Sequence, residues 1–490
     1  MYIHSLLSAA ACIICSAVLL FSFSMPFRGF DCSRRIFQLL NVPGTGFTPG
    51  VNNNDNINII DGIRIRADRD IQEYSVPSNH GTMGLYSLLD EQTWSYIVFF
   101  LGVIALVLYA MSTFFIIVSQ IGGRFILFKK EDTALISDNV PGVSIIKPLM
   151  GIDPLLEINL ESHFSISYPK FELLCCVQDD HDPAINLVYK LKEKYPKVDC
   201  SLFIGGKDGI INPMVHNMAP AYDHAKYEYV WISTRSTDIM MDMACKLQKP
   251  NVALCHQMPF TTDQKGFAQT LEKTYFGGAF ARYYLAFNIL GLCCCTGMSY
   301  MFKKSALDEL HGLNWFGKYL AEDFYLTHAL HEKGHRLVMS SYPAQQNLAQ
   351  SAVVGYKNRM VRWLRLRLNM MPLVSGFLEP MTECIPLGLY AAWAFYHFLG
   401  INPYIFFAVH FCLWLISDHL LLRLIQHGPL PFSKLQYTIV WILREVLAVW
   451  VFFVALISPR RIKWGKHTYK LSLGGHTELL NTHDKGKVKL

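Results

Sequence analysis

The 490-residue chain is short of charge. Only 17% of its residues are Asp, Glu, Lys or Arg, where a soluble domain carries about 25%. With 52% hydrophobic residues and a net charge of +6, that shortage excludes a purely soluble protein, a disordered one and a strongly basic nucleic-acid binder. Nucleic acid is therefore not among the expected partners. The apolar excess belongs in lipid. A disulfide framework is missing too. Thirteen cysteines are spread over a large chain, no pair of C-x-x-C motifs occurs, and several lie in apolar runs (Cys12 and Cys15; Cys175 and Cys176; Cys293, Cys294 and Cys295). A reduced thiol behaves there as a small hydrophobe, so the cysteines read as free rather than bridged or zinc-bound. The first apolar stretch, Ile3 to Met25, has no lysine or arginine before it, which leaves a signal anchor and a cleaved signal peptide both open.

Hydropathy divides what is there. Residues 1–25 are the apolar signal or anchor. Residues 26–93 are polar and rich in Asn, Gly and Asp, most of all at Val51-Asn52-Asn53-Asn54-Asp55-Asn56, and read as a flexible insert. Residues 94–121 are uncharged and long enough to cross hydrocarbon as one helix, with Trp94 and Tyr96 as interfacial anchors. Arg124, Lys129 and Lys130 lie just after it while Asp90 and Glu91 precede it, which puts the downstream chain in the cytosol. Residues 122–383 then alternate short apolar runs with polar turns. GVSIIKPL, FELLCCV, DCSLFIG, YEYVWIS and NVALCHQM read as buried strands, and Ala184 to Lys194 and Lys303 to Leu310 as helices between them. The fold class is α/β with a mostly parallel sheet, and ligands gather at the carboxyl ends of its strands. A basic, interfacial helix closes this block. Residues 384–457 hold three apolar segments, Cys384 to Gly400, Tyr404 to Leu422 and Tyr437 to Ile457, and 458–490 form a basic cytosolic tail. Basic groups on both sides of these segments want the cytosol, which requires an even number of crossings. The third, interrupted by Arg444 and Glu445, is expected to dip in and return.

Three clusters carry candidate chemistry. Gln178-Asp179-Asp180-His181-Asp182 comes directly after a strand, where carboxylates can hold a ribose or, through a cation, a diphosphate; the same residues also suit a solvated turn. Ala321-Glu322-Asp323 opens an amphipathic helix, where an acidic pair is either a cap or a general base for an acceptor hydroxyl. Arg359, Arg362 and Trp363 share a helix face before the membrane, and serve either as an interfacial surface or as contacts to a diphosphate.

These clusters belong to a longer ordered series: Gly142-Val143-Ser144, Lys147-Pro148-Leu149, Tyr168-Pro169-Lys170, Cys176-Val177-Gln178-Asp179, Phe203-Ile204-Gly205-Gly206-Lys207, Gly266-Phe267-Ala268, Arg282-Tyr283-Tyr284, Cys295-Thr296-Gly297-Met298-Ser299, Ala321-Glu322-Asp323 and Arg359-x-x-Arg362-Trp363. In that order they resemble the ceramide glucosyltransferase family, from about Pro141 to Gly475. The resemblance implies a multi-pass membrane glycosyltransferase of the nucleotide-diphospho-sugar (GT-A-like) fold, in Golgi or ER–Golgi membrane with its active site facing the cytosol. It would move glucose from UDP-glucose to the primary hydroxyl of ceramide with inversion, the first step of glycosphingolipid synthesis. By the same resemblance Asp323 is the catalytic base, and Asp182, His256, Cys294, Arg359, Arg362 and Trp363 bind the donor. UDP-glucose, ceramide and membrane lipid are the implied partners, with a homo- or hetero-oligomer left open.

The sequence departs from the family at the donor end. Thr234, in Trp231-Ile232-Ser233-Thr234-Arg235-Ser236, stands where a ligand aspartate is expected, and a neutral hydroxyl is a poor ligand for a hard cation. The divalent cation (Mn or Mg) implied by the resemblance is therefore left without an assigned metal ligand. Asp238 and Asp242 are the nearest acids downstream, and an extended chain would put Asp238 about 13 Å away. Met214 and His216 replace a lysine and an asparagine of the family pattern. These losses support a second reading: a catalytically impaired relative that binds lipid or a sister subunit and regulates the pathway.

Overall fold

The computed structural model describes residues 91–129, 140–232, 239–347, 352–465 and 467–480. The expected N-terminal anchor, the polar insert up to residue 90 and Thr234 lie outside the described residues; residues 91–93, expected as the end of that insert, open the first helix. The chain forms two compact units, residues 1–100 and 101–490; of the first, only the start of a helix is described.

Seven strands form the main sheet: β1 (Val143–Leu149), β2 (Phe171–Val177), β3 (Cys200–Ile204), β4 (Tyr229–Ile232), β5 (Val252–His256), β7 (Tyr300–Lys303) and β8 (Arg336–Met339). A short β6 (Pro259–Thr261) pairs outside it with β9 (Ala344–Gln346). Their order is β3-β2-β1-β4-β7-β5-β8, parallel throughout except for β7, which runs antiparallel to β4 and β5. The five expected strands are all present. Their apolar runs are continuous because both faces are covered. In β2, Leu173, Cys175 and Val177 face one layer of helices (Leu156–Phe164, Ala184–Lys194, Ile239–Gln248), while Leu174 and Cys176 face the other (Pro213–His224, Glu322–Glu332). Such period-two partition makes two cores on one sheet. The described cysteines are all free thiols.

Among the described residues, three helices are long and apolar enough to cross a membrane: Gln92–Ile126, Pro403–Gln426 and Lys434–Ile457. The protein is a membrane protein. Cys384–Leu399 is apolar but has only 16 residues. It turns into the next helix through left-handed Gly400 (φ 67°) and Asn402, whose side chain accepts the amides of Tyr404 and Ile405. The third C-terminal segment is one unbroken 24-residue helix and not a broken re-entrant loop. Its Arg444 and Glu445 are buried and paired with each other, and Arg444 also reaches Glu383 at 3.3 Å. Nearby, Arg282 binds Asp418 at 2.6 Å, both side chains fully buried, and Trp441 Nε1 donates to the same carboxylate at 2.9 Å. Charges in apolar surroundings persist only when paired in this way.

Part of the basic tail is folded. β10 (Arg461–Trp464), β11 (His467–Leu471) and β12 (Thr477–Leu480) make an antiparallel meander. It docks on the soluble block through a bridge between Tyr319 and His476 and through the Tyr325 hydroxyl, which donates to the Gly474 carbonyl at 2.5 Å.

Candidate active site

The parallel strands deliver their loops to one edge, as expected of such a sheet. Asp182 lies in the loop after β2 and is half-buried; its Oδ2 accepts the Gly151 amide from the loop after β1 (2.7 Å), and its Oδ1 accepts the Ala184 amide at a helix start (2.8 Å). It pins two loops together. Asp179 and Asp180 are exposed. After β3, Gly205 and Gly206 take positive φ, and His216 closes that loop with Nδ1 2.7 Å from the Lys207 carbonyl. A Cβ on Gly206 would collide with the His216 ring. Met214 sits in the first turn of the Pro213 helix and packs into the core below.

The second half of the site starts at Glu322–Glu332. Asp323 is half-buried in its first turn. Its Oδ2 accepts the Gly297 amide at 2.5 Å and its Oδ1 accepts the Phe324 amide at 2.8 Å. Burial raises its pKa while these two amides oppose the rise, and burial wins. Glu322 beside it is buried, and its Oε2 accepts from Asn212 Nδ2 at 2.6 Å. Burial and the neighbouring Asp323 charge push its pKa up. Two adjacent carboxylates therefore sit in different settings, one sealed by Asn212 and one opening to the site.

His256 ends β5, fully buried, with Nδ1 2.6 Å from the Tyr284 hydroxyl. Burial pushes its pKa down to about 3, so it is neutral at working pH and supplies no positive charge to a diphosphate. It orients Tyr284. Asn288, one turn on, donates to the carbonyls of Tyr284 and Cys294, which joins Cys294 to the same cluster. Burial raises the Cys294 thiol to about 12, so it is not a nucleophile at neutral pH.

Helix Val353–Met370 carries the basic motif. Arg359 pairs with the buried Glu272, and Arg362 stacks over Trp464 at 5.0 Å. Trp363 packs edge-on to Phe276. The structure thus brings Asp323, His256 and Cys294 into one neighbourhood through Tyr284 and Asn288, while Arg359 and Arg362 are engaged by groups outside it.

Among the described residues, no three His, Cys, Asp or Glu side chains come together to hold a metal ion. Asp182 is engaged in holding two loops through an amide from each, and among the described residues no two further ligating side chains join it. Asp242, an acid downstream of Thr234, is also taken: it accepts from Ser340 Oγ at 2.6 Å and the Ser341 amide at 3.1 Å, and it pairs with Lys246. The described residues do not fit a cation, and no step is assigned to one.

Sequence reasoning gave no role to Asn212, Gly297 or Tyr284. Asn212-Pro213 does carry the signature of a helix start, and Asn212 caps that helix with its side chain. Nothing in the sequence connects it to Glu322, 110 residues away.

Residues 98–477 match the model of Glycosyl transferase family 21. Ceramide glucosyltransferase 3 of Caenorhabditis elegans is 40% identical over 351 residues, 71% of this chain and 75% of its own length. Ceramide glucosyltransferase 1 of the same nematode is 38% identical, covering 69% and 73%. Among solved structures, the mannosyltransferase PcManGT from Pyrobaculum calidifontis in complex with GDP-Man and Mn2+ aligns at 18% identity and a TM-score of 0.44, over 73% of this chain and 99% of that one.

Proposed function

Since the chain belongs to glycosyl transferase family 21, we propose that it transfers glucose from UDP-glucose to the primary hydroxyl of ceramide, with inversion, at the cytosolic face of Golgi or ER–Golgi membrane. The observation that carries this is Asp323: a half-buried carboxylate with raised pKa, fixed by two backbone amides and keeping lone pairs for a third donor. In a single displacement it takes the proton of the acceptor hydroxyl while the acceptor oxygen bonds the anomeric carbon and the bond to the diphosphate breaks. A raised pKa strengthens a carboxylate as base at neutral pH.

The remaining residues position. Asp182 holds the loops after β1 and β2, where a donor's nucleotide end would lie. Neutral His256 and Asn288 fix Tyr284 and the Cys293–Thr296 segment beside the base. Arg359 would have to exchange Glu272 for a diphosphate to act on the leaving group. Arg124, Lys129 and the basic helix support the cytosolic orientation, and an acceptor with two long chains reaches the site through the membrane.

The test is glucosylceramide formation in microsomes of a cell line lacking its own enzyme, given UDP-glucose and labelled ceramide with manganese or magnesium. Product that disappears in Asp323→Asn supports the reading. Product that persists in Asp323→Asn refutes the assignment of the base. Product seen only after Thr234→Asp would favour the impaired relative.

A further inference from the structure

Length and hydropathy give Lys434–Ile457 the look of a third crossing. Its surroundings place it otherwise. At 1.5 Å per residue a 24-residue helix is about 36 Å long, so a crossing would set its ends on opposite faces of the bilayer. Both ends are instead tied to the catalytic half. At the start, Gln436 Nε2 donates to Thr270 Oγ1 at 3.2 Å, and Gln426, at the end of the preceding helix, donates to both Asp263 oxygens at 2.9 and 3.0 Å. At the finish, Arg365 donates to the carbonyls of Val454 and Arg461, each at 3.1 Å, and Asn369 to that of Pro459 at 2.8 Å. The meander beyond it is held by the helix of the base itself, through Tyr325 and Gly474.

The middle agrees with the ends. Val440, Val451 and Ala455 share a buried cluster with Met360, Val361 and Leu364 of the basic helix. That helix carries Lys357, Arg359, Arg362, Arg365 and Arg367, a charge density that hydrocarbon does not accept. A partner packed along its length therefore lies at the same level. The opposite face of Lys434–Ile457 is an apolar stripe: Leu435, Ile439, Ile442, Val446, Trp450 and Phe453 are 41–71% exposed and recur every three or four residues. That stripe is the face that meets acyl chains, and the bonds at the two ends set the helix along the leaflet and not across it.

We propose that Lys434–Ile457 lies in the plane of the membrane on the catalytic side, its stripe against the acyl chains of that leaflet, and that Cys384–Leu399 and Pro403–Gln426 form the only C-terminal excursion across the bilayer. This gives the even number of crossings required by the basic groups on both sides. It does not rest on the proposed reaction.

The sequence contains no N-x-S/T acceptor for glycosylation, so single acceptors can be introduced into the full chain in microsomes: one in the turn at 400–402, one in the loop at 428–433 and one after Leu490. Each variant is first checked for native elution in detergent, and an epitope after Leu490 on the unaltered chain is tested by protease in sealed vesicles. A glycan on the first acceptor alone, with the epitope cleaved from the cytosolic side, is the expected result. A glycan on the 428–433 acceptor together with the one at 400–402, or an epitope protected while the catalytic half is cleaved, would overturn the assignment.

Discussion

Replacing Gly297 by alanine probes the proposed base, Asp323, without touching its carboxylate. The Gly297 φ lies outside the left-handed region, so alanine costs nothing in the backbone. Its Cβ would sit 3.1 Å from Asp323 Oδ2 and 3.3 Å from both Asp323 Cβ and Cγ. Because Asp323 Cβ is itself crowded, rotating the carboxylate does not relieve the contact, and the two backbones must part by a few tenths of an ångström. The bond that stretches first is the 2.5 Å one from the Gly297 amide to Oδ2. A hydrogen bond to a charged group contributes about 1.5–3 kcal/mol, and about 1.4 kcal/mol is one decade in rate. Weakening that bond and displacing the base should lower kcat roughly ten- to hundredfold. KM for UDP-glucose should change little. The amide also holds the Asp323 pKa down, so weakening it raises that pKa, and the acid limb of the pH–rate profile moves to higher pH. Initial rates with labelled ceramide in detergent micelles, measured across pH, test both effects. Unchanged kcat with an unmoved acid limb would refute the role given to this contact.

Other parts of the molecule give three more tests. Asp418→Asn leaves Arg282 buried without its counter-charge, and removing one partner of a buried pair costs about 3–5 kcal/mol; a clear drop in the unfolding temperature of the purified protein is expected, and none would mean that the pair is solvated. Glu322 binds its proton more tightly folded than unfolded, because burial raises its pKa. The folded state then holds more protons above the usual carboxylate range, so stability falls as pH rises through the interval up to the raised pKa. Glu322→Gln should flatten that part of the melting profile, and an equally steep profile would contradict it. Tyr325→Phe removes the hydroxyl that tethers the meander to helix Glu322–Glu332. A loss of about 1 kcal/mol in stability is expected, with faster proteolysis after residue 457 as the readout and unchanged proteolysis as the refutation.

The candidate site residues were legible in the sequence because each announces itself locally. Asp323 opens a helix in an acidic pair, Asp182 comes after an apolar strand, and the arginines recur at helical spacing. What those residues touch was not legible. Arg359 reads as a diphosphate ligand, and only the fold shows Glu272, 87 positions earlier in the chain, against it. His256 reads as a donor contact, and only the fold shows that it is buried and neutral. Both depend on packing between segments that no local pattern connects.

The sequence by itself determined the α/β sheet, because strands covered on both faces must be continuous apolar runs, and it determined the membrane character, because so large an apolar excess has no other place. Only the tertiary structure decided the rest. The antiparallel β7 has four residues and is a strand only because β4 and β5 flank it. The meander of the tail is held in place because the Tyr325 hydroxyl of helix Glu322–Glu332 gives the Gly474 carbonyl a donor. Lys434–Ile457 has the same hydropathy whether it crosses a bilayer or lies along it; what its two ends are bonded to distinguishes the two, and that is a property of the folded chain.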